Sequence, residues 1–506
     1  MIEAIPLLSI LVVLPAVGAL VTSRTRSPTR SRAVAFAFAL ATLGIAVAIM
    51  ILLHGATSPR LVEVAPPIDG LGARWHLGID GLSAPFLPLA ALIACAVLIG
   101  APSRELDGGG ASAVLIVLAT TIGVYCSLDL LLLVAFWIAS LVPGALRIHH
   151  ARSGDVRQRL ARTYDVFLVL GSLPMIAAVL LIGWARTRAG AELPFDLASA
   201  TTAPVPVASQ QLVFVLLAFA VLIRSAIAPF HVWLPVLIER GPVGIAVMIA
   251  GTHLGAFLIA RVMIPLLPDA ARADLPIVAT LALASALYSA LVAICQTDLR
   301  RALGFVITSQ VALVVVGLAE ANAESVHGAM LQMLGIGLSA TGLVLAAAAL
   351  EVRAGTSDTE RFGGLATRMP RLAASFLLLA IGAIGLPGSL QFVAEDLLLR
   401  GLLASHPIVA VLLLLAGVLN GITLLRLFFR LFYGPVRDAR VLGPGAIDLR
   451  PRESLALTAI VVLTVAAGIA PSALLAMRAD AVRALSIADA APSEVAARSH
   501  RAGRAR

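Results

Sequence analysis

Ionisable side chains inside apolar segments are the residues of this sequence whose type and position could do chemistry. Arg224 lies near the end of the apolar run 211–230, and the chain breaks there at 229–235, PFHVWLP. A guanidinium at membrane depth costs roughly 3 kcal/mol or more unless it faces water or a partner charge. Two interpretations follow. Arg224 is a fixed positive charge in an internal polar axis, or its side chain reaches an interface near Pro229.

A second broken apolar segment lies later in the chain and is followed by two acids. The stretch 385–388, GLPG, interrupts the segment, and Glu395 and Asp396 come after it. Adjacent helical positions face different directions, so we expect one acid to point inward and the other to a neighbour or to headgroups. For Glu395 the alternative is a helix-capping or interfacial carboxylate. Two Gly/Pro-broken segments at corresponding places of two halves indicate an inverted-repeat transporter.

Two histidines are further candidates. His231 lies in the first break and could relay protons, but Trp233 beside it is typical of an interfacial belt, where histidine is structural. His253 lies within an apolar segment, either as an internal proton relay or as a neutral packing residue. The predicted proton path consists of Arg224, Glu395, His253, His231 and Asp396. No catalytic residue in the enzymatic sense is predicted.

The composition predicts an all-α polytopic membrane protein. The chain has 506 residues, of which 60% are hydrophobic and 13% charged, and its mean hydropathy is +1.00. Segments of about 20 apolar residues can cross a bilayer. Roughly fourteen transmembrane helices are predicted, at 2–22, 32–54, 84–103, 112–127, 128–148, 165–185, 211–229, 243–264, 275–296, 302–319, 325–350, 372–393, 406–429 and 453–477.

These segments divide the chain into four predicted parts. Residues 1–111 hold N-terminal transmembrane helices, 112–264 a first half-channel repeat, 265–435 a second one, and 436–506 a C-terminal transmembrane helix with a basic tail. Two broken helices, one in each repeat, complete the predicted fold. Asp129 begins one span and Asp298 follows another, and both are expected to cap helices or to pair with arginines.

The distribution of arginine predicts an orientation. All 37 basic residues are arginine, because the sequence contains no lysine. Loops after odd-numbered spans, counted with the arginines at the ends of the adjoining spans, hold 23 arginines and loops after even-numbered spans hold 7, so the odd-numbered loops are predicted to be cytoplasmic. Both termini would then face outward from the inner (plasma) membrane. The tail from Arg478 carries six arginines against this pattern, but a tail after fixed helices counts little.

Several classes of site are not indicated. Cys95, Cys126 and Cys295 form no short-spaced pair, which argues against a metal, disulfide or iron–sulfur framework. The sequence has no Gly-rich phosphate loop and no dinucleotide fingerprint, so no cofactor is predicted and any redox chemistry belongs to a partner chain. No basic stretch is interleaved with aromatic residues, so no nucleic-acid partner is predicted either.

Ordered motifs along most of the chain resemble the antiporter-like membrane subunits of proton-pumping NADH-quinone oxidoreductase, and most closely subunit M, also called chain 4. The motif 229–235 is the most specific of them. The others are 75–83 (WHLGIDGLS), 128–137, 296–301 (QTDLRR), 328–334 (GAMLQML), 362–365 (FGGL) and 385–395. The resemblance implies a subunit that takes part in proton translocation, with other membrane subunits, the lipid bilayer and protons or cations as partners.

The sequence departs from this family at the residues that would carry protons. Ile138 stands where the family has a glutamate, and Arg224 stands near the lysine of its broken helix. The next buried lysine maps to Gly255 or His253, depending on a gap, and 334–337 (LGIG) lacks the usual histidine. Only Glu395 is unchanged. Arginine keeps its proton, so Arg224 cannot replace a lysine that exchanges one, and Asp165 or Tyr164 is the candidate substitute partner.

Three functions are consistent with these residues. The preferred interpretation is a membrane-arm subunit of a quinone-linked NADH dehydrogenase, with a proton path that is weak or replaced by a role as a packed spacer. The first alternative is a cation/proton antiporter-like subunit of a membrane hydrogenase or inorganic-carbon uptake complex. The second is a scaffold subunit that conducts nothing.

Overall fold

The computed structural model describes residues 6–53, 61–67, 72–150, 155–198, 205–438 and 447–485, without the side chains of 155–157. A short antiparallel hairpin pairs β1 (Leu61–Val64) with β2 (His76–Ile79). The helices are α1 (Leu7–Ser23), α2 (Pro28–Leu53), α3 (Phe86–Gly100), α4 (Gly108–Cys126), α5 (Leu130–Ala139), α6 (Val142–His150), α7 (Asp155–Arg188), α8 (Val207–Arg224), α9 (Trp233–Arg240), α10 (Val243–Thr252), α11 (Leu254–Leu258), α12 (Ile264–Leu266), α13 (Pro268–Cys295), α14 (Leu299–Ala319), α15 (Ala323–Ala354), α16 (Pro370–Ile384), α17 (Leu390–Ser405), α18 (Pro407–Phe432), α19 (Pro451–Ile469) and α20 (Ser472–Leu485).

The all-α membrane fold is confirmed. Among the described residues, 11 helices are long and apolar enough to cross a membrane, some of them built from two or more consecutive segments. Three shorter apolar helices, α1, α3 and α16, coincide with the other predicted spans. Length and hydropathy therefore support eleven crossings, and the number fourteen stays a prediction.

The helices that lack a polar face lie in the centre of the bundle. The hydrophobic parts of α14, α15 and the segment from α10 to α12 are buried on all sides. In contrast, α2, α18 and α19 expose large apolar side chains such as Ile51, Val411 and Val462. Outward-facing apolar rows of this kind are expected where a helix contacts lipid.

Two helix starts behave as their sequence predicts. The carboxylate of Asp129 accepts hydrogen bonds from the backbone N–H groups of Leu131 and Leu132 at 2.9 and 3.0 Å. The carboxylate of Asp298 accepts one from the N–H of Arg301 at 2.8 Å. Both aspartates are N-caps, and such caps are worth about 1 kcal/mol each.

Both predicted helix breaks are present. One separates α8 from α9, and the other separates α16 from α17, where Gly385 takes a left-handed conformation with φ of 80°. When membrane-crossing segments are counted from α4, the helix that ends at the first break is the fourth. When they are counted from α13, the helix that ends at the second break is also the fourth. This equivalence agrees with two repeats, although the predicted boundaries at 112–264 and 265–435 stay a prediction.

A third break was not predicted. His253 separates α10 from α11 with a left-handed φ of 46°, and residues Ile259–Met263 then form a π-helix. Gly251 and Gly255 lie two residues to either side, but the positive φ falls on the histidine itself, and a non-glycine residue rarely adopts positive φ. Backbone strain of this kind is common where a site is held by its surroundings.

Candidate proton path

Arg224 is the last residue of α8 and points into the bundle. Its Nη2 donates a hydrogen bond to Ser140 Oγ at 3.1 Å, and its Cζ lies 5.4 Å from the centre of the Trp137 ring. Its Nη1 is buried without a hydrogen-bond partner. Among the described residues, no carboxylate forms an ion pair with it. The side chain therefore points to α5 within the bundle, which favours the first of the two interpretations.

A small cavity of about 20 Å³ lies beside this guanidinium. Its lining consists of Trp137, Leu141, Tyr164, Phe167, Leu168, Gly171, Ile223, Arg224 and Trp233. Almost all of these side chains are apolar or aromatic. A cavity of this chemistry holds the charge in a low-dielectric environment, where an unpaired cation is most costly.

The two candidate substitute partners on α7 lie on different sides. Tyr164 lines the cavity, and its hydroxyl donates to the Leu141 carbonyl oxygen at 3.1 Å. Asp165 instead pairs with His149 at 2.8 Å on an exposed surface. Successive helical residues differ by about 100° in direction, which explains the separation. Tyr164 is therefore near Arg224, and Asp165 is not its partner.

Ile138 is not among the residues in and next to α5 that face Arg224. Trp137, Ser140 and Leu141 lie on that side, at the i, i+3 and i+4 positions that share one helical face. Ile138 is partly buried and packs against the hydrophobic core. Among the described residues of the first half, Arg224 therefore has no acid beside it.

Gly255 and His253, the two candidate positions for the family's second buried lysine, differ in the space around them. A Cβ added to Gly255 would lie 2.4 Å from Ser225 Oγ and 3.1 Å from Arg224 Cβ, so no larger side chain fits there. His253 is buried at the break, and its Nε2 has no hydrogen-bond partner. His253 is thus the residue that offers a titratable atom in this part of the interior.

The same break is accompanied by a polar contact that the sequence did not reveal. The Tyr125 hydroxyl donates to the Thr252 carbonyl oxygen at the end of α10. Carbonyl groups freed by a broken helix must be satisfied inside a membrane protein. Tyr125 therefore stabilises the strained backbone next to His253.

His231 lies between α8 and α9 and is only 9% exposed. Its ring packs edge-on against Tyr288, with centroids 5.1 Å apart, and near Phe305 at 6.2 Å. Its Nδ1 has no hydrogen-bond partner. No hydrogen bond joins it to Arg224 or Glu395, so the contacts of this histidine are those of a packed aromatic ring.

The two acids of the second break face different ways, as expected. Glu395 lies over the break, where a Cβ on Gly385 would come within 2.6 Å of Glu395 Oε2. Gln391 Nε2 donates to Glu395 Oε1 at 3.1 Å. Asp396 points outward and forms an ion pair with Arg400 at 2.8 Å, in which both side chains are exposed. The structure therefore does not bring Asp396 to the interior with Glu395.

Buried amides lie on helices of the second half, one of them in contact with Glu395, and sequence reasoning missed them. Gln332 on α15 is fully buried, with neither amide atom hydrogen-bonded, and Gln391 Oε1 also lacks a partner. Gln310 Nε2 donates to the Ala383 carbonyl oxygen at 2.8 Å, just before the second break. Gln332 lies in the motif 328–334, and a glutamine inside an apolar run is the sequence feature that could have indicated a buried amide.

Partly buried ion pairs between distant segments were also missed. Arg261 pairs with Asp80 at 2.5 Å, and Arg300 pairs with Glu351 at 3.0 Å. Asp80 lies in the turn before α3, where burial alone would raise its pKa, but Arg261 and Ser83 lower the pKa below its ordinary value. These pairs join segments far apart in sequence, so residue order alone could not match the partners.

Comparison with known proteins identifies the family. The family described as "NADH:quinone oxidoreductase/Mrp antiporter, TM" matches residues 127–420, which include both helix breaks. The chain belongs to this family. Membership confirms the resemblance drawn from the motifs, and the shared stretch contains Arg224, His231, His253 and Glu395.

Members of the family resemble the chain over most of its length. NADH-quinone oxidoreductase subunit 13 of Thermus thermophilus is 32% identical over 371 residues, covering 73% of this chain and 77% of the relative. NADH-quinone oxidoreductase subunit M of Rickettsia bellii is 27% identical over 422 residues, covering 82% and 84%. These names agree with the predicted likeness to subunit M.

A solved structure agrees with the fold. A chain of the respiratory complex I from Thermus thermophilus with bound NADH superposes with a TM-score of 0.86 at 28% identity. The match covers 95% of this chain and 99% of that chain. The helix order of this chain therefore lies within an architecture that the family shares.

Proposed function

We propose that this chain is a membrane-arm subunit of a quinone-linked NADH dehydrogenase, in which proton translocation is coupled to electron transport. The observation that carries the proposal is the family match over the two broken helices, together with a charged residue held inside the bundle at each break. The chain lies among other membrane subunits in the bilayer. Electron transfer is the task of partner chains.

We assign the proton-exchanging role to Glu395 and a different role to Arg224. A carboxylate can take up and release a proton, whereas arginine remains protonated in proteins. A buried amide without a partner costs roughly 1–3 kcal/mol, so Gln332 and Gln391 favour a wetted interior near Glu395. Arg224 then acts as a fixed cation whose field biases charge in the first half.

Identification of the partner chains tests the assignment to a dehydrogenase complex. We expect an affinity-tagged copy of this chain, purified from native membranes in mild detergent, to carry a set of membrane subunits and NADH-dependent quinone reduction. A two-protein module that conducts cations without oxidising NADH would contradict the proposal. Such a result would support the antiporter-like alternative instead.

We also propose that both termini face the outer side of the membrane, which rests on the excess of arginine in the loops after odd-numbered spans. Protease added to sealed right-side-out vesicles should then remove an epitope fused after Arg506. The same protease should leave intact an epitope inserted in the loop around Arg361. The reverse cleavage pattern would overturn the orientation.

A further inference from the structure

A second cavity lies where the ends of three helices meet. α3 ends there, α15 is in its last turn, and α19 begins. The cavity has a volume of about 150 Å³, and its polar lining consists of Ser103, Arg104, Arg450, Arg452 and Glu453.

The lining carries an excess of positive charge. Arg104, Arg450 and Arg452 form no ion pair among the described residues. Arg452 Nη2 only donates to Ser103 Oγ at 2.9 Å. The single acid of the lining, Glu453, is engaged by Arg353 at 2.5 Å. Three guanidinium groups therefore remain for an anion that comes from outside the chain.

The surroundings of the cavity extend this positive region. Arg32 on α2 donates to the Ala101 carbonyl oxygen at 3.2 Å, directly after the end of α3. The cavity's own arginines, like Arg32 and Arg353, belong to loops or helix ends on the face that holds the arginine excess. Basic pockets between helices on that face are the type that binds anionic lipid headgroups.

An apolar surface adjoins the arginines. Gly100, Pro102, Ala349 and Val352 provide the non-polar part of the lining, and Val352 is 39% exposed. Leu455 lies one helical turn from Arg452 along α19 and is 61% exposed. Since the ends of crossing helices mark the headgroup region, the arginines lie at phosphate depth and Leu455 lies toward the acyl chains.

We propose that this cavity is a binding site for an anionic phospholipid, with its phosphate held by Arg104, Arg450 and Arg452. Arginine presents several donors in a fixed plane and binds phosphate oxygens in a bidentate manner. The proposal depends only on the membrane-embedded fold. It stands whether or not the chain conducts protons.

Lipid titration of the full chain tests the site. The delipidated protein in detergent is titrated with phosphatidylglycerol, phosphatidylcholine or inorganic phosphate, and bound lipid and the thermal unfolding temperature are measured. We expect phosphatidylglycerol alone to bind tightly and to raise the unfolding temperature. Equal binding of phosphatidylcholine would overturn the proposal. An equal shift with inorganic phosphate would identify a free-anion site and would also overturn it.

Charge variants locate the binding. Arg104→Gln, Arg450→Gln and Arg452→Gln combined should weaken phosphatidylglycerol binding by about 100-fold, since each basic residue near the surface contributes about a factor of five. The matched control changes Arg24, Arg26 and Arg30 to glutamine, which removes the same charge from exposed residues outside the cavity. Equal loss in both triple variants would reject the cavity as the site. If the cavity variant does not fold, the preference of the wild-type chain among the three ligands still decides whether it binds an anionic lipid.

Discussion

Glu395→Gln is expected to lower proton translocation through this chain by about 100-fold or more, because it removes a group that can exchange a proton while it keeps shape and hydrogen bonding. Glutamine can still accept the hydrogen bond from Gln391 Nε2, so packing at the second break should survive. The measurement is the number of protons translocated per NADH oxidised by the complex in proteoliposomes.

The neighbouring acid provides the matched control for this experiment. Asp396→Asn removes the same charge one residue away, but Asp396 lies in an exposed ion pair with Arg400. Exposed pairs are worth about 0–1 kcal/mol, so this variant should leave both stability and proton translocation unchanged. If the Glu395 variant keeps the full proton-to-electron ratio, the second half does not conduct through this carboxylate.

Features with a strong local cause were predictable from the sequence. Proline and glycine marked the breaks at 229–235 and 385–388, and aspartate at a span boundary marked the caps at Asp129 and Asp298. The opposite directions of Glu395 and Asp396 followed from the helical repeat alone. In each of these cases the deciding interaction lies within a few residues of the position concerned.

Features decided by tertiary packing were not predictable. The break falls on His253 and not on the glycines two residues to either side, and contacts such as the hydrogen bond from Tyr125 to the Thr252 carbonyl hold it. The close packing of Gly255 depends on Ser225, which comes from another segment of the chain. Gln332 lies in an apolar motif, and only the structure showed that its amide is fully buried.

Restoring a titratable pair in the first half should produce the second large effect. Arg224→Lys combined with Ile138→Glu supplies a base that can release its proton and an acid that can modulate it. We expect the double variant to conduct protons at least about tenfold faster than Arg224→Lys alone, because a positioned proton-exchanging group contributes about 10²-fold or more. Proton uptake by proteoliposomes under an imposed pH gradient is the measurement.

The geometry of α5 suggests a second double variant that tests whether a missing ion pair limits the first half. Ser140 already lies 3.1 Å from the Arg224 guanidinium, whereas Ile138 lies on the adjoining face. Arg224→Lys with Ser140→Asp therefore places a carboxylate where contact with the cation is observed. If neither double variant exceeds its single lysine parent, loss of an ion pair is not what limits the first half. If either one exceeds its lysine parent, the missing carboxylate is what limits the first half, because the variant and its parent both lack the fixed charge of Arg224.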